Sequence, residues 1–295
     1  MIKNMHYLWM ILASFFFATM ALCIKFAAHS FNTFELVFYR ALISVFFMLC
    51  VVWLRGTSLR SRVPGMHLWR GVVGAISIAL WFYAITHLPL VTAMTLNYMS
   101  AVWVAAILVG AAALSTPRKP LASQGALVIT ILLGFVGVVL TLRPTLDDNQ
   151  LFAGLVGLAG SITAALAYLQ VSALGKMGEP EDRTVFYFSV SSAVLGGACM
   201  LLADATPWAD IRASDAAWIV PAGILASLGQ WCMTRAYSKG ATLIVASLQY
   251  TGLLFSMLYG LILFDDHIPA MGWIGVAVIV LSALLATGLR RTSTK

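Results

Sequence analysis

The sequence predicts an all-α integral membrane protein, with ten transmembrane helices arranged as two inverted five-helix repeats and both termini cytoplasmic. Three observations predict it. Of 295 residues, 61% are hydrophobic and only 10% charged, and the mean hydropathy is +0.93. A soluble domain carries about 25% charged and roughly 45–50% apolar residues. Apolar runs recur ten times, each near the roughly 20 residues that a spanning helix needs. Finally, Lys and Arg collect in alternate connections, as they do when one side of a membrane retains them. Ten spans use about 200 residues, so nothing is left to build a large soluble domain.

The first run, 6–28, follows Lys3. It is too long for the apolar core of a signal peptide, and no convincing cleavage site follows it, so it reads as a retained helix. The next four runs cover 34–54, 67–87, 89–114 and 121–142, and the last five cover 152–175, 183–204, 215–239, 241–264 and 269–289. Pro89, Pro117, Pro120, Pro144, Pro180, Pro207 and Pro269 fall at or between run ends, where a residue without an N–H does least harm. Period-two alternation is absent, which excludes a membrane β-barrel.

Orientation follows from the cations. With the N-terminus inside, thirteen Lys and Arg lie on the inner side: Lys3, Arg55, Arg60, Arg62, Arg70, Arg118, Lys119, Lys176, Arg183, Lys239, Arg290, Arg291 and Lys295. Only Arg143 and Arg212 lie outside, so the formal charge of +7 reads as membrane topology rather than as affinity for nucleic acid.

Ten spans divide into 1–147 and 148–295, two halves of one membrane domain, and an odd number of spans per half inverts the second copy. Val37-Phe38-Tyr39 returns as Val185-Phe186-Tyr187 in the second helix of each half. Asn97-Tyr98 returns as Gln249-Tyr250 in the fourth, and Ala84 aligns with Ala236 at the same offset. Asn97 lies about 12 Å from the outer end of its run and Gln249 about 12 Å from the inner end of its own, at 1.5 Å per residue. Both approach the middle of a core about 30 Å thick.

Polar side chains at that depth turn toward a cavity or another helix. Asn97 and Gln249 therefore serve either helix-to-helix hydrogen bonds or substrate contact, and Tyr98 and Tyr250 beside them offer a ring face and a hydroxyl. Trp81, Tyr83 and Trp103 are the aromatic candidates near the same site. Trp9, Trp53, Trp69, Trp218 and Trp273 fall near interfaces and read as an aromatic belt. Lys25, Glu35, Arg40 and Arg235 lie inside apolar runs. Glu35 between two cations makes a self-neutralising cluster with Lys25 and Arg40, in which Arg40 is deepest and most in need of a partner or a substrate anion. Lys25, Glu35 and Arg235 can also snorkel to an interface.

Several chemistries lack their groups. No carboxylate lies near the membrane centre, so proton exchange through a buried acid has no titrating residue. His6, His29, His67, His87 and His267 lie at helix ends or in loops, and no metalloprotease, nucleophile-elbow or phosphate-loop motif occurs. The four cysteines sit in apolar runs and read as packing residues. Gly71/Gly74, Gly134/Gly137, Gly154/Gly157/Gly160 and Gly272/Gly275 are spaced for close helix contact. No catalytic residue, metal site or cofactor is expected.

The order of Lys25, then Glu35-Leu-Val-Phe-Tyr-Arg40, then Trp81-Phe-Tyr-Ala-Ile-Thr-His-Leu-Pro-Leu90 resembles the first repeat of EamA-type proteins of the drug/metabolite transporter superfamily. The second half agrees through Ala236-Tyr237, Tyr250-Thr251, Gly260 and Phe264-Asp-Asp-His-Ile-Pro269. The resemblance covers nearly the whole chain. Many relatives have Pro where Ala101 stands and Gly-Glu where Gly110-Ala111 stands; Asp265-Asp266 keeps an acid in the second half alone. The resemblance implies alternating access around a central cavity, with amino acids, amines or related metabolites as cargo. Lys25 and the Phe-Tyr-Arg40 ending look closest to amino-acid exporters and S-adenosylmethionine-type carriers. The expected function is thus a secondary transporter of small amphiphilic metabolites in a bacterial inner membrane. A drug or nucleoside-like exporter and an S-adenosylmethionine-type uptake carrier are the alternatives. Its expected partners are the small-molecule substrate and membrane lipid, with no nucleic acid, and a monomer is the expected state.

Overall fold

The computed structural model describes residues 5–88, 90–114, 122–142, 150–202, 206–263 and 270–293, and the regular structure among them is helical throughout. The first half supplies α1 (Met5–Ala27), α2 (Thr33–Arg55), α3 (Pro64–His87), α4 (Leu90–Leu114) and α5 (Ala122–Leu142). The second supplies α6 (Leu151–Lys176), α7 (Glu181–Leu202), α8 (Ala213–Ala217), α9 (Ile219–Lys239), α10 (Thr242–Leu248), α11 (Thr251–Leu263) and α12 (Ala270–Ser293), with a 3-10 turn at Trp208–Asp210. Eight stretches among the described residues are long and apolar enough to cross a membrane, while α5 and α12 contribute shorter apolar segments, Val128–Leu140 and Ala270–Leu285.

Local chemistry sets the helix ends. Asn32 caps α2 by accepting from the amides of Phe34 and Glu35, and the Glu35 carboxylate accepts in turn from the Asn32 amide, a reciprocal arrangement that satisfies otherwise orphaned donors. Gly56 closes the same helix in the left-handed region at φ 62°, where a Cβ is costly. Pro64 opens α3, at a position where its missing N–H is not needed.

Two expected helices are each divided. The run 215–239 is interrupted at Trp218, between α8 and α9; Pro221 has no N–H to offer the Ala217 carbonyl four residues earlier. The run 241–264 divides at Gln249-Tyr250, between α10 and α11. Here the Ser247 and Thr251 hydroxyls donate to the carbonyls of Ile244 and Leu248, and such back-bonding competes with a continuous ladder.

The helices pack in matched pairs. α1 lies on α9 as α6 lies on α3, α1 meets α11 as α6 meets α4, and α2 meets α9 as α7 meets α3. α2 also packs on α7, and α5 on α12. Small residues permit the approach: a Cβ at Gly223 would stand 2.6 Å from Ile43, and one at Gly137 2.9 Å from the Gly275 carbonyl. Large apolar side chains such as Leu8, Phe46, Trp53, Leu68, Phe152 and Leu155 stay exposed around the bundle, as a lipid-facing surface requires.

Each end of the bundle is knitted by polar contacts. At one end, Glu35 accepts from the amide and hydroxyl of Thr206, Ser30 donates to Asp215, and Thr33 meets Thr86. At the other, Arg55, Thr57 and the Trp231 indole all donate to Asp182, and Lys239 pairs with Glu181. Glu179, in the α6–α7 connection, accepts from Ser61 and Arg183 and meets His67 at 3.0 Å. Burial works against its charged form, but these three hydrogen bonds outweigh it and hold the carboxyl down at about 2. The connection between α2 and α3 is thereby clamped to the start of α7, which Tyr187 reinforces by donating to the Leu59 carbonyl.

Candidate central cavity

Seven elements enclose one cavity. α1 contributes Ser14 and Phe17, α2 Arg40, α3 Ser77, Trp81 and Phe82, and α4 Met94, Asn97 and Tyr98. Tyr168 comes from α6, Gln230 and Met233 from α9, and Gln249 with Gly252 from the division between α10 and α11. Its volume is about 100 Å³, below the roughly 300–1,000 Å³ of sites that enclose a drug-sized ligand. A metabolite larger than a headgroup therefore needs the surrounding helices to part. No Asp or Glu is among the lining residues described.

The two polar–tyrosine pairs are brought to one place, but their members do different things. The Gln249 side chain, at the end of α10, donates to the Ser100 hydroxyl of α4 at 3.1 Å and so joins the two halves beside the cavity. Asn97 is half-buried and makes no hydrogen bond to another described residue, which leaves a donor and an acceptor facing the space. Tyr98 reaches across to α11: a Cβ on Gly252 would sit 2.9 Å from its hydroxyl. Tyr250 does not line the cavity. It is fully buried behind Tyr98, edge-on at 6.0 Å, and donates to the Ile131 carbonyl.

The aromatic candidates separate similarly. Trp81 lines the cavity with its buried indole nitrogen unpartnered. Trp103 instead donates to Ser161 and joins α4 to α6. Tyr83 stacks on His87 at 3.9 Å near the end of α3. Trp53, Trp69, Trp218 and Trp273 are exposed, but Trp9 packs edge-on against Trp231 at 5.4 Å and so belongs to the bundle.

The charged candidates do not form the expected cluster. Glu35 is 1% exposed and bound to Asn32 and Thr206, not to Arg40. The capping box takes the carboxylate that charge alone would have assigned to the arginine. Lys25 is exposed in the last turn of α1. Arg40 is 2% exposed, lines the cavity, and has its Nε and Nη2 unpartnered. Arg235 lies beside the Trp9–Trp231 ring pair, 5.1 Å from each ring centre, with Glu181 at 4.0 Å.

A second arginine departs from its expected place. Arg70, counted with the inner-side cations near the start of the run 67–87, is 2% exposed inside the bundle, because α3 begins six residues earlier and turns it onto α7 and α9. Its Nη2 donates to Gln230 at 3.0 Å, and its guanidinium lies 4.2 Å from the Phe188 ring centre. Gln230 and Tyr168 line the cavity as well. The signal for Gln230 was present, since it is a lone amide in an apolar run like Asn97 and Gln249. Asp265-Asp266, Arg143 and the segment 115–121 lie outside the described residues.

The fold is thus a helical membrane bundle closed around an amide-, arginine- and aromatic-lined cavity. Residues 4–143 match the EamA-like transporter family, so the first half of the chain carries an EamA-like domain, and the transporters similar to the chain along most of its length are consistent with the drug/metabolite transporter superfamily. It is similar along nearly its whole length to the pseudopaline exporter of Pseudomonas aeruginosa, with 28% identity over 278 residues and 93% of each chain covered. The riboflavin transporter of Vibrio cholerae is 26% identical, over 95% of this chain and 92% of its own. The S-adenosylmethionine uptake transporter of Rickettsia bellii is 23% identical, over 88% and 85%. A solved crystal structure shares the fold, with a TM-score of 0.80 at 19% identity, covering 97% of this chain and 98% of that one. The protein is therefore a multi-pass transporter of the bacterial inner membrane that acts on small molecules, rather than an enzyme.

Proposed function

We propose that the protein moves small amphiphilic metabolites bearing a carboxylate, amino acids and their derivatives foremost, by alternating access through the central cavity. The observation that carries this reading is Arg40, a buried cation that faces the cavity with unpartnered donors and, among the described residues, no carboxylate beside it. A charge so placed is costly until an anion meets it. Around it, Asn97 and Gln249 supply amide contacts, and Trp81, Phe17, Phe82 and Tyr98 supply apolar and π surface. Tyr250 supports Tyr98 from behind, Trp103 and Tyr83 hold neighbouring helices, and Arg235 belongs to one closed end.

In this reading 1–147 and 148–295 are two inverted five-helix repeats of a ten-helix monomer, with α5 and α12 completing the count. The exchanged helix pairings support that arrangement. Burial of Arg70 leaves twelve inner cations against two outer ones, which still favours cytoplasmic termini. The aromatic walls also suit a flat heterocycle, so export of nucleoside-like or drug-like metabolites, or uptake of an S-adenosylmethionine-type molecule, is the second reading. Proteoliposomes loaded and assayed with labelled amino acids and with S-adenosylmethionine separate the two. Arg40→Gln, Asn97→Ala and Gln249→Ala are each expected to lower transport at least tenfold while the protein elutes as a folded species. Wild-type rates in all three would remove the cavity as the substrate site.

A further inference from the structure

The cavity is flanked by two buried arginines, and they approach it from opposite ends. Arg40 lies about 10 Å along α2 from the end where Ser30, Thr206 and Thr86 gather, and Arg70 about 9 Å along α3 from the end where Glu179 and Asp182 gather, at 1.5 Å per residue. Along a bundle of this height their Cα atoms stand roughly 15 Å apart. Each is 2% exposed, and neither has a carboxylate within 4.0 Å among the described residues. Two such charges in one low-dielectric interior repel each other and lack counterions.

Arg70 acts on the cavity through Gln230. A guanidinium only donates, so it takes the carbonyl oxygen of Gln230 and leaves the amide NH2 of that side chain, which lines the cavity, as a donor. Nε and Nη1 of Arg70 remain buried and unpartnered. Its further compensation comes from the Phe188 face at 4.2 Å and from the nearby Tyr168 hydroxyl, neither of which is a counterion, and Gly74 leaves room for the guanidinium that a side chain would fill. The result is a donor backed by a full positive charge, at the opposite end of the cavity from Arg40. A purely structural arginine would be expected to find a carboxylate, and three lie in the neighbouring connection and first turn of α7 (Glu179, Glu181 and Asp182); all are engaged with other partners.

We propose that Arg70 and Gln230 form a second anion subsite, so that the transporter prefers an elongated metabolite with a carboxylate at each end, one held by Arg40 and the other by the Gln230 amide under the field of Arg70. This rests on the assignment of Arg40 to a substrate carboxylate.

The test uses the purified full chain and a chain-length series of α,ω-dicarboxylates, adipate to sebacate, beside the monocarboxylates of equal length. Binding is read from ligand-induced thermal stabilisation. At one chain length the dicarboxylate is expected to bind about tenfold or more tighter than its monocarboxylate, the gain of one charge-assisted contact. Arg70→Gln should bring that ratio to about one and leave monocarboxylate binding unchanged. Gln230→Glu, which gives Arg70 an internal counterion and so keeps the fold satisfied, should also bring the ratio to about one. Arg40→Gln should weaken both ligands. A wild-type ratio near one at every length, or a ratio that survives Gln230→Glu, overturns the second subsite. If monocarboxylates bind but gain nothing from a second carboxylate, only this inference fails. If neither ligand stabilises the wild type, the carboxylate reading of Arg40 fails with it.

Discussion

Asp182 offers the most informative single perturbation, because one carboxylate ties three helices together where α2, α7 and α9 meet. It is 5% exposed and accepts from Arg55 at 3.0 and 3.2 Å, from Thr57 at 3.1 Å, and from the Trp231 indole at 2.6 Å. The side chain of Arg55 is 49% exposed, so its pairing is screened and contributes under about 1 kcal/mol. The indole bond is charge-assisted and contributes about 1.5–3 kcal/mol, and the Thr57 bond about 0.5–1.5. Asp182→Ala should therefore loosen this end by roughly 3 kcal/mol, which shifts a closed-to-open equilibrium about a hundredfold. Cys232, adjacent to Trp231 and 2% exposed, reports the opening without an introduced probe. In a protein whose other three cysteines are replaced by serine, labelling of Cys232 by a small maleimide should accelerate by about that factor. Asp182→Asn, which keeps an acceptor for the indole, should accelerate it less. Equal labelling rates in the wild type and in Asp182→Ala would refute the idea that this network holds the end closed.

Three further outcomes follow from the same geometry. Glu179 is depressed from 4.5 to about 2, so its contribution to stability is fully present above pH 4.5 and is lost as pH falls through about 2; Glu179→Gln should lower the thermal midpoint at neutral pH and flatten that acid limb, and an unchanged limb would show that the clamp is not ionic. Gly134→Ala would set a Cβ 2.7 Å from the Tyr250 ring and from Ser282, and should cost about 1–3 kcal/mol by overpacking, visible as a lower midpoint. Because no carboxylate lines the described cavity, an imposed pH gradient should leave the transport rate in proteoliposomes nearly unchanged; strong stimulation would require a titrating group elsewhere.

The legible part of the site consisted of lone polar residues in apolar runs. Asn97, Tyr98, Gln249, Trp81 and Arg40 were found that way, since hydrocarbon makes each of them expensive unless it faces something polar. The same rule applied to Gln230 would have found it too. Tyr250 and Trp103 obey it through neighbours instead, one bonded to the Ile131 carbonyl and the other to Ser161. A sequence shows that such a group needs a partner, but not whether the partner is protein or ligand. Glu35 illustrates the point: charge assigns it to Arg40, yet the Asn32 capping box and Thr206 claim it first. Arg70 shows a different limit. Its place near the start of the run 67–87 counts it with the inner-side cations, whereas the helix start at Pro64 carries it deeper into the bundle.

Composition and the spacing of apolar runs determined that this chain is helical and lives in a bilayer, because the cost of exposing backbone and charge to hydrocarbon acts on every residue regardless of its neighbours. The order of the motifs carried the resemblance to the EamA-like family, whose model matches residues 4–143. Which polar side chains meet was decided only by the tertiary structure. Gln249 reaches Ser100 across 149 positions of chain and Arg70 reaches Gln230 across 160. Such pairings follow from how helix faces rotate against one another, and that rotation is set by close-packed contacts at glycines such as Gly137 and Gly223 rather than by any local pattern.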